Sequence, residues 1–450
     1  MAIANLDWES LFQEAVGYLC DLIRFKTVNP PGNEKPAAQY LADILAKNSI
    51  DCQMLEAAPS RTNLIARLKG TGEKPPILLD GHLDVVSAEP ESDWKYPPFS
   101  GKVAEGCIWG RGALDMKQTV IMNLMALLVL KRAGGRPKRD LIFAAVADEE
   151  EGSKLGAQFL VENHPDLVRA EYGLGEIGGF CLEMEGKRFY PVEVAERGLC
   201  WFRLRAKGDS GHGSIPAPES AVIRLAAAVE KLGKKKLPYH LTAPAKEFIA
   251  ILADNLGGIK GRVLKLLLNE TLADFVIDRV LPDKKLARTF WAALHNTANP
   301  TVLSGGEKTN VIPKEATVEV DGRLLPGQTP DSLLAEVREI IGEDLAVELI
   351  HCMQPAVQDV DDPVLKIFEK RIKAHDPRAI VLPYMVPGFT DGSNYARLGI
   401  KYFGFSPLKL KPGESFQELF HNKDERIPLE GYKFGLRVHI ETIWEMVTEF

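Results

Sequence analysis

Residues 77–86, ILLDGHLDVV, carry an apolar run directly into His82 and, two positions later, Asp84. Ligands of α/β sheets bind at the carboxyl ends of the strands. A histidine that ligates a metal usually donates its other ring N–H to a carboxylate that fixes its tautomer. Alone, His82 would be an ordinary hydrogen-bonded core histidine; Asp84 beside it moves the reading towards a metal ligand. Residues 141–152, LIFAAVADEEEG, end a second apolar run in four consecutive acids. Such a run also suits the acidic first turn of a helix. Across a sheet from His82, however, it would supply one metal ligand and one free carboxylate to act as base.

Three further segments join these two. Residues 109–117, WGRGALDMK, lead through glycines to Asp115 at the start of a helical pattern. That carboxylate either caps the helix or is held rigidly enough to bridge two cations. Residues 172–179, YGLGEIGG, place Glu176 at another strand end. The glycines there approach a dinucleotide fingerprint, but 180–190 is broken by Gly186 and no helix follows, so the required strand–turn–helix context is missing. Residues 420–428, FHNKDERIP, set His421 in a polar loop, where a histidine alone means little. Together, two His, one Asp and two Glu with a third Glu to spare match the donors of a two-metal hydrolase. Borderline-soft zinc accepts that mixture of nitrogen and oxygen.

Such residues must be positioned by an α/β layer. Apolar runs at 63–69, 77–79, 141–147 and 172–175 read as buried strands, and 116–132 as a helix stopped by Gly134 and Gly135. After Arg197 the pattern alternates: strands are expected at 199–207, 317–324 and 346–351, and helices at 221–232 and 332–341. This is a small α+β unit with antiparallel pairing. It encloses a helical insert at about 233–299. A helix at 364–374, a strand at 401–404 and a last helix from about 429 return to the α/β pattern. The expected organisation is therefore a mixed-sheet α/β catalytic domain in two pieces, 1–196 and 357–450, with an inserted α+β lid domain at 197–356.

The chain has 450 residues, 45% of them hydrophobic and 26% charged. A single core stops growing near about 250–300 residues, so two domains are expected. The first 20 residues read as an amphipathic helix rather than a signal segment, and no run approaches the ~20 apolar residues of a membrane span. A net charge of -7 and the lack of aromatics interleaved in the basic run Lys234–Lys236 argue against nucleic acid as a partner. Six cysteines without a C-x-x-C pair suggest neither a thiolate site nor a disulfide framework, and fit a cytoplasmic protein.

The segments GHLDVV, WKYPPFSG, GRGALDMK, DEEEGS, GHGSIP, NVIP, DGRLLPG and HNKDERIP, in this order, resemble the dizinc metallopeptidase family of aminoacylase, carboxypeptidase G, acetylornithine deacetylase and succinyl-diaminopimelate desuccinylase. The resemblance covers nearly the whole chain. It implies two zinc ions per subunit, with cobalt or manganese as substitutes. His82, Asp115 and Glu176 would hold one ion, and Asp115, Glu150 and His421 the other. Glu149 corresponds to the family's general base, Asp84 to the carboxylate behind the first histidine, and Asp115–Met116 to a cis peptide.

In the lid, His212 matches a histidine that reaches the scissile carbonyl oxygen, often from a neighbouring subunit, which makes a homodimer an expected partner. Asn310 and Arg323 match residues that contact substrate. Arg197 and the 388–392 loop are similar to elements that contact its carboxylate. The implied activity is hydrolysis of an amide or peptide bond beside a carboxylate, as in dipeptidases, carboxypeptidases and N-acyl-amino-acid deacylases. The substrate would be a small molecule or short peptide with a free carboxylate. The competing expectation is an inactive binding protein on the same fold, which should have lost ligands or the base.

Overall fold

The computed structural model describes Ile3 and residues 6–450. The first helix is Trp8–Arg24, capped at its start by Asp7, whose side chain accepts from Ser10 N. Residues 1, 2, 4 and 5 of the expected first helix lie outside the described residues.

The buried apolar runs form the middle of one mixed sheet. Across it lie Cys52–Ala58, Arg61–Leu68, Leu141–Val146, Ile77–His82, Tyr172–Gly175, Lys401–Gly404 and Lys187–Glu196. The four strands from Leu141–Val146 to Lys401–Gly404 pair in parallel. Both flanks pair antiparallel. Ile77–His82 and Leu141–Val146 are buried at every position, so they read as unbroken apolar runs rather than alternating ones. Parallel register sets His82 opposite Val146. The residues that follow each strand, including the acids from Asp148 onward, therefore leave the sheet at one edge. Glu176 follows Tyr172–Gly175 there too.

The helix Lys117–Ala133 is buried from Lys117 through Leu130. It lies between the strand Ile77–His82 and the helices Trp8–Arg24 and Leu429–Thr448. A helix covered on all sides must be apolar on all sides. Asn123, polar in the middle of it, is satisfied: Nδ2 donates to Asp80 O at 2.9 Å, and Oδ1 lies 2.8 Å from His439 Nε2. Gly134, at φ 74°, supplies the left-handed stop.

One expectation holds and one needs correction. Residues 180–190 form the strand Leu182–Met184 and the start of Lys187–Glu196, paired as a hairpin turning at Gly186 with φ 71°. Residues 297–299 are not helical; they begin the strand Thr297–Gly305, which claims them by pairing with Glu315–Leu324.

The chain divides into two units: Met1–Val194 with Gln358–Tyr384 and Thr390–Phe450, and Ala195–Val357 with Met385–Phe389. The second contains an antiparallel sheet in the order Thr297–Gly305, Glu315–Leu324, Gly198–Lys207, Ala346–Met353. Glu315–Leu324 alternates half-buried and buried residues along its length. Phe202, Leu204, Val318 and Val320 form a core there with Leu225 of the helix Ala221–Lys234 and Leu333 of Pro330–Ile341. The insert holds the helices Ala243–Leu256, Gly258–Leu266, Glu270–Phe275 and Lys284–Leu294. Among the described residues, no helix is long and apolar enough to cross a membrane.

Candidate metal centre

Six side chains from five segments converge at the sheet edge of the first unit. His82 Nε2 lies 3.1 Å from Asp115 Oδ1, 3.6 Å from Glu176 Oε2 and 3.8 Å from Glu149 Oε2. His421 Nε2 lies 3.0 Å from Asp115 Oδ2 and 3.1 Å from Glu150 Oε2. Asp115 thus turns one carboxylate oxygen to each histidine. Two sets of donors share His82: one with Glu149 and Glu176, the other with Asp115 and Glu150. Distance alone admits Glu149 as a donor too; its separate role comes from the resemblance stated above.

Asp115 is held by its backbone rather than by capping. Its N–H, like that of Leu114, donates to Glu425 Oε1, at 3.1 and 2.7 Å, and Met116 occupies the cap position of the following helix. Glu425 is fully buried and takes Arg111 on its other oxygen at 2.5 Å. The bond Asp115–Met116 is cis. His82 Nδ1 sits 2.9 Å from Asp84 O and 3.5 Å from Asp84 Oδ1, which turns Nε2 towards the acids. Asp84 also accepts from the backbone N–H groups of Glu149 and Glu150, both at 3.2 Å. The acids 149–151 form a 3₁₀ turn after Asp148, which sits at φ 71°. Glu151 is exposed.

The electrostatics describe a centre made for cations. Burial opposes charge on His421, yet its bonds to Asp115 and Glu150 push its pKa up to about 10. His82 is likewise raised despite burial, chiefly by Asp115, Asp84 and Glu176. Burial, then the charge on Asp115, pushes Glu176 up to about 8. Burial, then Glu176, raises Glu149 well above the carboxylate range. Burial also opposes ionisation of Asp115, but its bonds to His421 and His82 hold it low. Protons thus stand where metal ions would neutralise the acids. Glu150 Oε1 is buried with no hydrogen-bond partner among the described residues, an acceptor left for a cation.

The remaining candidates lie in the second unit. His212 is exposed, with Nδ1 2.8 Å from Ser214 Oγ. Asn310 is exposed next to it in space, its carbonyl accepting from Gly213 N at 2.9 Å. Arg323 makes a forked pair with Asp321 at 2.7 and 3.2 Å. Arg197 is buried, and its Nη2 donates to Thr297 Oγ1 at 3.0 Å, Arg323 O at 3.1 Å and His295 O at 3.3 Å. The supports Asn29, Arg61 and Glu425 were not singled out from sequence. Glu425 lies inside the HNKDERIP segment; Asn29 and Arg61 carry no local signal.

The profile of the peptidase family M20/M25/M40 matches residues 78–445. The chain belongs to this family. It is a metallohydrolase acting on amide bonds. The M20 chain is 30% identical over 390 residues to a probable carboxypeptidase S-like 2 of Dictyostelium discoideum, covering 82% of this chain and 72% of that one. It is 29% identical over 379 residues to the N-fatty-acyl-amino acid synthase/hydrolase PM20D1 of Mus musculus, covering 82% and 73%. In fold it resembles the M20 family metallo-carboxypeptidase Sso-CP2 of Sulfolobus solfataricus, with a TM-score of 0.70 at 19% identity over 96% of this chain and 98% of that one. It also resembles YXEP of Bacillus subtilis, described as a dinuclear metal binding peptidase of the same family, with a TM-score of 0.61 at 13% identity over 98% and 99%.

Proposed function

We propose that this chain is a two-zinc hydrolase that cleaves an amide bond next to a free carboxylate. His82, Asp115 and Glu176 would hold one ion, and Asp115, Glu150 and His421 the other. The observation that carries this reading is Asp115, whose two oxygens face histidines from opposite ends of the chain at 3.1 and 3.0 Å. A carboxylate so placed could serve both donor sets.

When bound, the two ions would lower the pKa of a water molecule towards ~7 and polarise the scissile carbonyl. Glu149 takes the proton from that water as it attacks, and afterwards delivers it to the leaving amine. Asp84 fixes the tautomer of His82 and holds the backbone of Glu149 and Glu150 in place. His212 donates to the carbonyl oxygen as negative charge builds there, a contribution of about 3–4 kcal/mol for one such donor. The region 197–356 serves as the lid that brings His212, Asn310, Arg323 and Arg197 to the substrate, within a homodimer.

The names borne by similar proteins, carboxypeptidase and N-fatty-acyl-amino acid synthase/hydrolase, support a substrate built on an amino acid. A hydrolysis screen of the zinc-loaded protein against dipeptides, N-acyl-amino acids and N-acyl-diamino acids tests the reading. Turnover that disappears with a chelator and returns with zinc is expected. A protein that binds two zinc ions yet turns over none of these classes would instead be a binding module.

A further inference from the structure

Behind the proposed ligands two carboxylates approach each other in a buried space. Asp84 is fully buried and Asp148 is 5% exposed. Asp84 Oδ1 and Oδ2 receive the backbone N–H groups of Glu149 and Glu150. Asp148 Oδ2 receives Leu155 N at 2.9 Å, and its Oδ1 receives Arg61 Nη2 at 2.8 Å. Between the two stands one neutral amide. Asn29 Nδ2 donates to Asp84 Oδ2 at 2.8 Å and to Asp148 Oδ1 at 3.0 Å, so each of its hydrogens serves one acid. Asn29 is itself buried, and its backbone N–H is fixed to Val85 O at 2.9 Å, one residue beyond Asp84.

We infer that Asn29 is a positioning residue for the turn that carries Glu149 and Glu150, acting by clamping Asp84 to Asp148. The inference rests on the two-metal reading above. Buried anions without a donor between them repel, and a buried acceptor left unsatisfied is costly. An aspartate at position 29 would add a third anion, and an aliphatic side chain would remove both donors. Asp84 orients His82, with its carbonyl oxygen 2.9 Å and its carboxylate 3.5 Å from Nδ1, and Asp148 begins the acidic turn, so one amide sets the spacing between a ligand from Ile77–His82 and the ligand and base that follow Leu141–Val146. Arg61 anchors the outer end, since its Nε donates to Glu34 Oε2 at 2.8 Å.

The test strips the full chain with a chelator and titrates it with cobalt(II), following the visible spectrum and bound metal. Wild-type protein should take up two equivalents. Asn29→Leu, close in size but without donors, should weaken at least one equivalent by about 10- to 100-fold, the usual cost of losing a residue that orients a ligand. Its cobalt bands should change shape, and on any hydrolysed substrate kcat should fall more than KM. Asn29→Ser, which keeps one donor, should lie between the two. A folded Asn29→Leu protein with wild-type cobalt affinities and spectrum would overturn the inference; if that variant does not fold, an Asn29→Ser protein matching wild type would do the same. Failure of the wild-type protein to bind cobalt would overturn the metal centre and this inference together.

Discussion

His82 and His212 are both assigned to the same chemistry, yet their surroundings are opposite. His82 is fully buried, and its ring nitrogens meet Asp84 beside it in the chain and Asp115, Glu149 and Glu176 from three other segments. His212 is exposed, and its ring bonds a serine two residues away. The contrast extends to their neighbours. The turn at Glu149 and Glu150 is tied through Asp84, Asn29 and Asp148 to Arg61, whereas Asn310 stands exposed on a short strand connection. A metal centre needs donors held rigidly before the ion arrives. A group that meets substrate only as a lid closes needs freedom instead.

The largest expected effect lies at the buried side of this contrast. Replacing Glu149 with Ala should leave two bound zinc ions, measured by metal analysis, and lower kcat by about 10²–10⁴-fold, since the carboxylate acts as both base and acid. Loss of metal with activity would make Glu149 a ligand, as its 3.8 Å approach to His82 permits.

In the second unit the sheet core should matter for stability and not for metal. Phe202 is fully buried there. Phe202→Ala should therefore cost about 3–5 kcal/mol in denaturant unfolding of that unit. Zinc content under native conditions should stay at the wild-type level.

His212→Ala should lower kcat by about 10²–10³-fold, the cost of one oxyanion donor. Zinc affinity should not change. An unaltered kcat would remove His212 from the chemistry and leave the contrast between the two histidines one of folding alone.

A further effect is one of pH. In the metal-free protein His421 keeps its proton up to about 10 and Glu176 up to about 8. Between pH 6 and 8 a metal must displace those protons, so its apparent affinity falls as pH falls, by about tenfold per unit for each proton released. Calorimetry in buffers of different ionisation enthalpy counts the protons. A count of zero would show that the cluster is already deprotonated.

The sequence by itself determined the donor types and the strands that carry them. Ile77–His82 and Leu141–Val146 are legible because a strand buried on both faces must be apolar throughout, and a histidine or a row of acids closing such a run is locally visible. The lid strand Glu315–Leu324 is legible for the complementary reason, since one half-exposed face imposes alternation. What only the tertiary structure decided is which groups hold the donors in place. Nothing near Asn29 in the chain announces that its amide separates Asp84 from Asp148, 55 and 119 residues away. Nor does the sequence pattern reveal that Asp115 is fixed by Glu425, 310 residues on, rather than by capping its own helix. Hydrogen bonds act over about 3 Å of space whatever the separation along the chain. Their partners are therefore set by how sheet and helices pack, which hydrophobic periodicity specifies only coarsely.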